Sequence, residues 1–146
     1  MNPLSFSHQI SLRLDQVIVE VAAQFGLPAN QIQSIEQENS IALQVHNLPD
    51  VLLSVSDDRL WIWSLLPIHD ENQLLSHAAE VLAILIDPVE GVETGQLTLG
   101  NGENGYELKA LINLEQLQHD HGLKPALLGF TTQLYKISQT LQIIGA

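Results

Sequence analysis

Apolar residues recur with a helical period near the N-terminus of the chain. They appear at steps of three and four residues over about 7–25, and the Gly-Leu-Pro step at 26–28 is typical of the end of a helix. A second apolar set, Leu12, Val19 and Ala23, lies on roughly the opposite side of this predicted helix. Because a helix with two opposed apolar faces is expected to be covered on both, either another part of the chain or a partner covers the second face.

The pattern then changes to a period of two, which is typical of β-strands. Segments 41–45, 51–55 and 60–65 are rich in apolar and β-branched residues, and turn signals separate them at 47–50 and 57–58. We therefore predict an antiparallel meander of three strands.

The third strand of this meander is apolar on both faces. Successive side chains alternate across a strand, so Trp61, Trp63 and Leu65 share one face, while Leu60 and Ile62 share the other. Two indoles about 7 Å apart, each needing a partner for its N–H when buried, are difficult to fit into a small core. This arrangement favours a protein-binding surface beside the tryptophans, with a strand buried between two layers as the alternative.

Residues 72–86 predict a second helix with an unusually wide apolar face. Its apolar positions cover an arc of about 160°, wider than a surface helix with one buried side usually shows. Either the chain itself buries this whole arc, or a second subunit covers part of it, since most soluble oligomers are symmetric dimers.

The C-terminal half completes an α+β pattern. Segments 96–99 and 106–112 predict two strands around the turn-rich loop 100–105. One apolar stripe of a long last helix follows, made of Leu127, Phe130, Leu134, Ile137, Leu141 and Ile144. The order helix, three strands, helix, two strands, helix predicts an antiparallel twisted sheet packed with helices, in a single domain spanning residues 1–146.

The charge of the chain narrows its range of partners. Five basic and seventeen acidic residues give a net charge of −12 over 146 residues. This excess of acid opposes binding to nucleic acids and to anionic membranes, both of which depend on Lys and Arg. The first residues lack the basic start and apolar run of a signal peptide, so we expect a cytoplasmic protein.

Motifs that carry catalysis or hold cofactors are missing from the sequence. The glycines of GNGENG at 100–105 are not followed by the Gly-Lys-Ser/Thr step of a phosphate-binding loop, and they are better explained as turn residues. The cluster His119-Asp120-His121 lacks further ligands at a plausible spacing, and the chain has no cysteine. We therefore predict neither an enzyme nor a protein with a cofactor or metal.

Two stretches resemble a known family. SVSDDRLWIW at 54–63 and GQLTLGNGENGYELKAL at 95–111, with a closing helix near LLGFTTQLYKISQTL, are similar to the InvB-like, surface-presentation-of-antigens family of type III secretion chaperones. The resemblance runs in order over about residues 7–144. It implies a small acidic homodimer of the class I chaperone type, with no ATPase activity of its own.

The resemblance also implies partners and surfaces. Chaperones of this class bind the extended N-terminal segment of secreted effector or translocator proteins, keep it unfolded and soluble, and present it to the export apparatus, whose ATPase is a further expected contact. The client is expected to cover the first helix and the sheet, and the dimer to form around the second helix and a neighbouring strand. The expected client-binding residues are Leu12, Val19, Ala23, Leu43, Trp61 and Trp63. The expected dimer residues are Leu75, Ala79, Leu82, Ile86, Leu97 and Leu99.

Two other classes of function remain open at this point. A small-molecule-binding or enzymatic α+β domain would need a deep cavity with converging polar groups. A purely structural dimer or adaptor would bind a folded partner instead of an extended segment.

Overall fold

The computed structural model describes residues 32–35, 40–56, 59–113, 115 and 122–143. The predicted first helix at 7–25 lies outside these residues, as do the cluster at 119–121 and the last position of the predicted C-terminal stripe, Ile144. No helix within the described ranges is long and apolar enough to cross a membrane.

Six strands form one antiparallel sheet in the described part of the chain. Their bounds are β1 (Ile32–Ile35), β2 (Ser40–Leu43), β3 (Val51–Ser56), β4 (Arg59–Leu65), β5 (Thr98–Gly102) and β6 (Gly105–Leu111). They are ordered β1-β2-β3-β4-β6-β5, so β4 and β6 are neighbours within the sheet although helical residues and β5 lie between them in sequence. The predicted meander corresponds to β2, β3 and β4, and the predicted hairpin to β5 and β6.

The sheet differs from the prediction in two places. Strand β1 was not predicted, because its two isoleucines, Ile32 and Ile35, are three residues apart and do not follow the period of two. Strand β5 begins two residues later than predicted and continues to Gly102, which pairs with Gly105. The loop of this hairpin is therefore shorter than the predicted 100–105, and Gly105 adopts a positive φ of 125° that other residues rarely adopt.

The described residues also form three helices. They are α1 (Glu71–Leu75), α2 (Ala78–Leu85) and α3 (Lys124–Thr140). Asp70 begins α1 by accepting a hydrogen bond of 3.0 Å from the backbone N–H of Asn72. The predicted single helix over 72–86 is thus two helices, because the backbone tightens at Ser76 and His77, where the N–H of His77 donates to the carbonyl of Leu74 three residues earlier.

The core lies between α3 and one face of the sheet. The predicted stripe of α3 is confirmed over its described part, since Leu127, Phe130, Leu134, Ile137 and Leu141 are all buried. They face buried sheet residues that alternate along the strands, namely Val51, Leu53, Leu60, Ile62, Leu108 and Ala110. The α+β architecture predicted from the sequence is therefore confirmed, and the opposite face of the sheet is left to form a second surface.

Candidate functional site

Strand β4 places both tryptophans on the face of the sheet that points away from the core. Leu60, Ile62 and Ser64 are buried on the core side, and Trp61 and Trp63 are half-buried on the other side. The hydroxyl of Ser64 donates to the backbone carbonyl of Asp50 at 2.8 Å, which satisfies this polar group within the core. The indoles are consequently not core filling.

Neighbouring strands complete a groove around the indoles. In the antiparallel register, Trp61 pairs with Ser54 of β3 and with Leu111 of β6, while Trp63 pairs with Lys109 of β6. The residues that line the groove are Ser54, Ser56, Trp61, Trp63, Glu107 and Lys109. We call this set the tryptophan groove. Its volume is about 340 Å³, at the lower end of the range for ligand pockets.

Polar groups in the tryptophan groove contact both indoles, and a hydrogen bond fixes the orientation of Trp63. The indole N–H of Trp63 donates to the hydroxyl oxygen of Ser54 at 2.9 Å, which leaves the aromatic face of Trp63 for contact. The Lys109 ammonium lies 6.0 Å from the centroid of the Trp61 ring, at the outer limit of a cation–π contact. The same ammonium is 3.4 Å from a carboxylate oxygen of Glu107.

The accessible charge in the groove is positive. The side chain of Glu107 is 14% exposed and that of Lys109 is 43% exposed, so Lys109 is the charge that an incoming segment meets first. Apolar ring surface, hydroxyls and one cation can together hold apolar side chains and the main-chain groups of an extended peptide.

A second unusual surface lies on α1, α2 and the residue that follows α2. Leu75, Leu82 and Ile86 are between 55% and 60% exposed, and Ala79 is also exposed. We call these four residues the apolar patch. In α2 only Val81 is buried, although seven of its eight residues are Ala, Val, Leu or Ile. Monomeric proteins rarely expose large contiguous apolar areas, and such areas commonly mark interfaces.

The other predicted site residues fall into three groups. Leu43 and Leu97 are 2% and 3% exposed and belong to the core, so they have almost no surface for a partner and are not part of either surface. Leu99 is half-buried on β5 and packs against the core. Leu12, Val19 and Ala23 lie outside the described residues.

Sequence reasoning missed four of the six residues that line the tryptophan groove. Ser54 and Ser56 alternate along β3 on the same face, and Glu107 and Lys109 do so along β6. The register between β4 and β6 brings them together, and that pairing joins segments more than 40 residues apart in sequence. The described residues include no group of three or more His, Asp or Glu side chains that could hold a metal ion.

Comparison with known proteins agrees with this geometry. Residues 26–103 match the sequence profile of the invasion protein B family. The chain is 31% identical over 116 residues to the surface presentation of antigens protein SpaK of Salmonella typhimurium, and equally to that of Salmonella typhi. These matches cover 80% of this chain and 86% of each relative.

A solved structure shows the same fold. The chain is similar to a chain in the heterodimeric complex ExoU-SpcU from the type III secretion system of Pseudomonas aeruginosa, with a TM-score of 0.50 and 14% sequence identity. The match covers 84% of this chain and 93% of the other. Profile, relatives and fold agree with the motifs at 54–63 and 95–111, and this chain belongs to the invasion protein B family of type III secretion chaperones.

Proposed function

We propose that this chaperone binds an extended N-terminal segment of secreted effector or translocator proteins and keeps it soluble and unfolded until export. The observation that carries the proposal is the tryptophan groove, in which the only two tryptophans of the chain face away from the core. The fold is shared with a chain of a type III secretion complex, and this supports a role in binding a secreted protein.

The energetics require more than one contact between chaperone and client. Ordering a disordered segment costs about 2–5 kcal/mol, while burying one side chain of the size of leucine returns about 1.5–3 kcal/mol. The groove offers two indole faces side by side, so two client side chains can contribute. A second contact along the predicted N-terminal helix, through Leu12, Val19 and Ala23, would add to this binding and is part of the proposal.

A homodimer is the second part of the proposal. The apolar patch would be covered by a second copy of the chain, with Leu99 of β5 near the edge of the interface. The exposure of three large apolar side chains on one helical segment supports this assignment. Such a dimer would work in the cytoplasm without catalysis or cofactor, and the ATPase of the export apparatus would be the protein to which it delivers its client.

Intrinsic fluorescence provides a direct test of the proposed client site. Because Trp61 and Trp63 are the only tryptophans, titration with a tryptophan-free N-terminal effector segment should change the emission of the chaperone. The segment can be identified by co-purification followed by limited proteolysis. Titration with a folded C-terminal domain of the same effector is the matched control and should leave the emission unchanged.

Replacement of the indoles tests their contribution to affinity. Tryptophans at interfaces often contribute about 2 kcal/mol or more, so Trp63→Ala should weaken binding of a labelled client segment by about thirtyfold or more in fluorescence anisotropy. Leu128→Ser, at an exposed leucine on α3, is the control and should bind as the unmodified chain does. Retained affinity in Trp61→Ala and Trp63→Ala, with both variants folded by circular dichroism, would contradict the proposed site.

A further inference from the structure

The outer side of α3 combines exposed apolar residues with lysines. Leu128 and Tyr135 are 42% and 49% exposed, although both are large apolar side chains in the middle of a well-packed helix. At 100° per residue they lie within about 20° of each other on the helix. Lys124 and Lys136 are exposed on either side of them. We call these four residues the α3 outer face.

The charge of this face is opposite to that of the chain as a whole. The chain carries −12, yet none of the residues of α3 is acidic, and no acidic residue follows Asp120 in the sequence. Of the cations in the described ranges, Arg59 pairs with Glu93 at 3.5 Å and Lys109 with Glu107 at 3.4 Å. Lys124 and Lys136 form no ion pair with any described residue, so both remain available to a partner.

The position of Lys124 argues against a role for its charge in stabilising α3. It is the first residue of α3, where the helix dipole favours negative side chains and disfavours a cation. A lysine at this place therefore does not stabilise the helix through its charge. Together with Lys136, about 18 Å away along the helix axis, it brackets the apolar pair Leu128 and Tyr135.

The arrangement favours an acidic protein segment over other occupants. Two lysines are too few for a nucleic acid, whose binding depends on many phosphate contacts. An extended anionic membrane would also meet the acidic remainder of the chain, whereas a short segment meets this face alone. A second copy of α3, packed antiparallel about a twofold axis, would bring Lys124 of each copy toward Lys136 of the other. Like charges would then oppose each other across the interface.

We propose that the α3 outer face is a docking surface for an acidic, partly apolar segment of a partner protein. The partner would place apolar side chains on Leu128 and Tyr135 and carboxylates beside Lys124 and Lys136. This surface lies on the helix that covers the core face of the sheet, whereas the tryptophan groove lies on the other face. The proposal therefore goes beyond client binding, and a partner could dock here while a client occupies the groove.

A pair of synthetic peptides can test this surface with the full chain. The probe is a labelled 18-residue helical peptide of Glu, Leu and Ala with leucines on one face and glutamates flanking them, and the control peptide has Lys in place of every Glu. Fluorescence anisotropy should show that the acidic probe binds at 0.05 M NaCl, and that this binding depends on both lysines of the α3 outer face. Removal of Lys124 and Lys136 should not weaken binding of the lysine peptide, because that peptide is attracted to acidic surfaces elsewhere on the chain.

Two double variants of equal net charge distinguish the contribution of the α3 outer face from that of the net charge of the chain. Lys124→Gln with Lys136→Gln, and Gln96→Glu with Asn104→Asp, both lower the net charge by two, and all four side chains are exposed. The lysine variant should weaken binding of the acidic probe about fivefold, since exposed ion pairs are individually weak, while the control pair should change it by less than twofold. Leu128→Ser with Tyr135→Ser should also weaken it.

Three results would overturn the proposal. The first is that the acidic probe shows no detectable binding at 0.05 M NaCl. The second is that the two charge-matched variants weaken its binding equally. The third is that the protein binds phosphatidylserine vesicles and that this binding depends on Lys124 and Lys136 more strongly than peptide binding does. Because none of these measurements involves an effector segment or the tryptophans, failure here would leave the proposed client site standing.

Discussion

At the scale of single residues, α3 and the loop after α2 pack so closely at one position that a side chain larger than that of glycine does not fit. Gly129 lies in the middle of α3, and a Cβ added there would collide with Cγ1 of Val89. Glycine in a helix interior otherwise costs about 1 kcal/mol relative to alanine. The close approach of Val89 explains why glycine occupies this position.

Gly129→Ala therefore has an effect whose sign depends on Val89. We expect it to lower the free energy of unfolding by about 1–3 kcal/mol, as overpacking in a core does. In a Val89→Ala background, where the colliding methyl group is absent, the same substitution should be neutral or raise stability by up to about 1 kcal/mol. Urea denaturation of the four proteins measures this coupling.

The control for this prediction is a glycine with free space around it. A Cβ added to Gly100 of β5 meets nothing within 4 Å, so Gly100→Ala should change stability by no more than about 0.5 kcal/mol. Equal losses for Gly129→Ala in both backgrounds would show that the contact with Val89 is not the cause.

At the scale of elements, the sequence was most informative where one period persists over a long segment. The stripe of α3 repeats over more than four helical turns, and every described member of it is buried. The apolar residues of 72–86 also fit one helix, but sequence periodicity does not detect the tight turn at Ser76 and His77 that divides it. Strand β1 was not predicted either, because its two isoleucines are three residues apart and do not show the period of two of a strand.

The tryptophan groove could also be predicted only in part from the sequence. The alternation along β4 places Trp61 and Trp63 on one face, and the structure confirms this. Which face of the sheet that is depends on the packing of α3, and the neighbours Glu107 and Lys109 depend on a register between distant strands. Long-range pairing of this kind is not encoded in a local pattern, so the lining of the tryptophan groove could not be predicted completely.

The two sides of α3 predict opposite responses to truncation. Phe130 is fully buried and Leu128, two residues earlier, is exposed. Phe130→Ala should lower the free energy of unfolding by about 3–5 kcal/mol because it opens a cavity, while Leu128→Ala should change it by about 0.5 kcal/mol or less. Urea denaturation distinguishes the two, and similar losses for both would mean that the outer face of α3 is also packed.

At the scale of the whole molecule, the apolar patch and the net charge act against each other in self-association. Covering Leu75, Leu82 and Ile86 favours a dimer through the hydrophobic effect. Bringing together two chains of −12 opposes it through repulsion. Salt should therefore strengthen the dimer, because screening weakens the repulsion and leaves the apolar contact intact. An interface held by ion pairs would instead be weakened by salt.

Sedimentation equilibrium over protein and salt concentration tests this balance. The protein should sediment as a dimer of two 16.1 kDa chains. The association constant of this dimer should increase as NaCl is raised from 0.05 to 0.5 M. Leu82→Glu should shift it to monomer, because the new carboxylate would be buried in an apolar interface without a partner. Leu128→Glu introduces the same charge at an exposed leucine outside the patch and should leave the dimer in place. A monomer at all concentrations, or equal effects of the two variants, would assign the patch to another partner, whereas weakening by salt would mean that ion pairs hold the dimer.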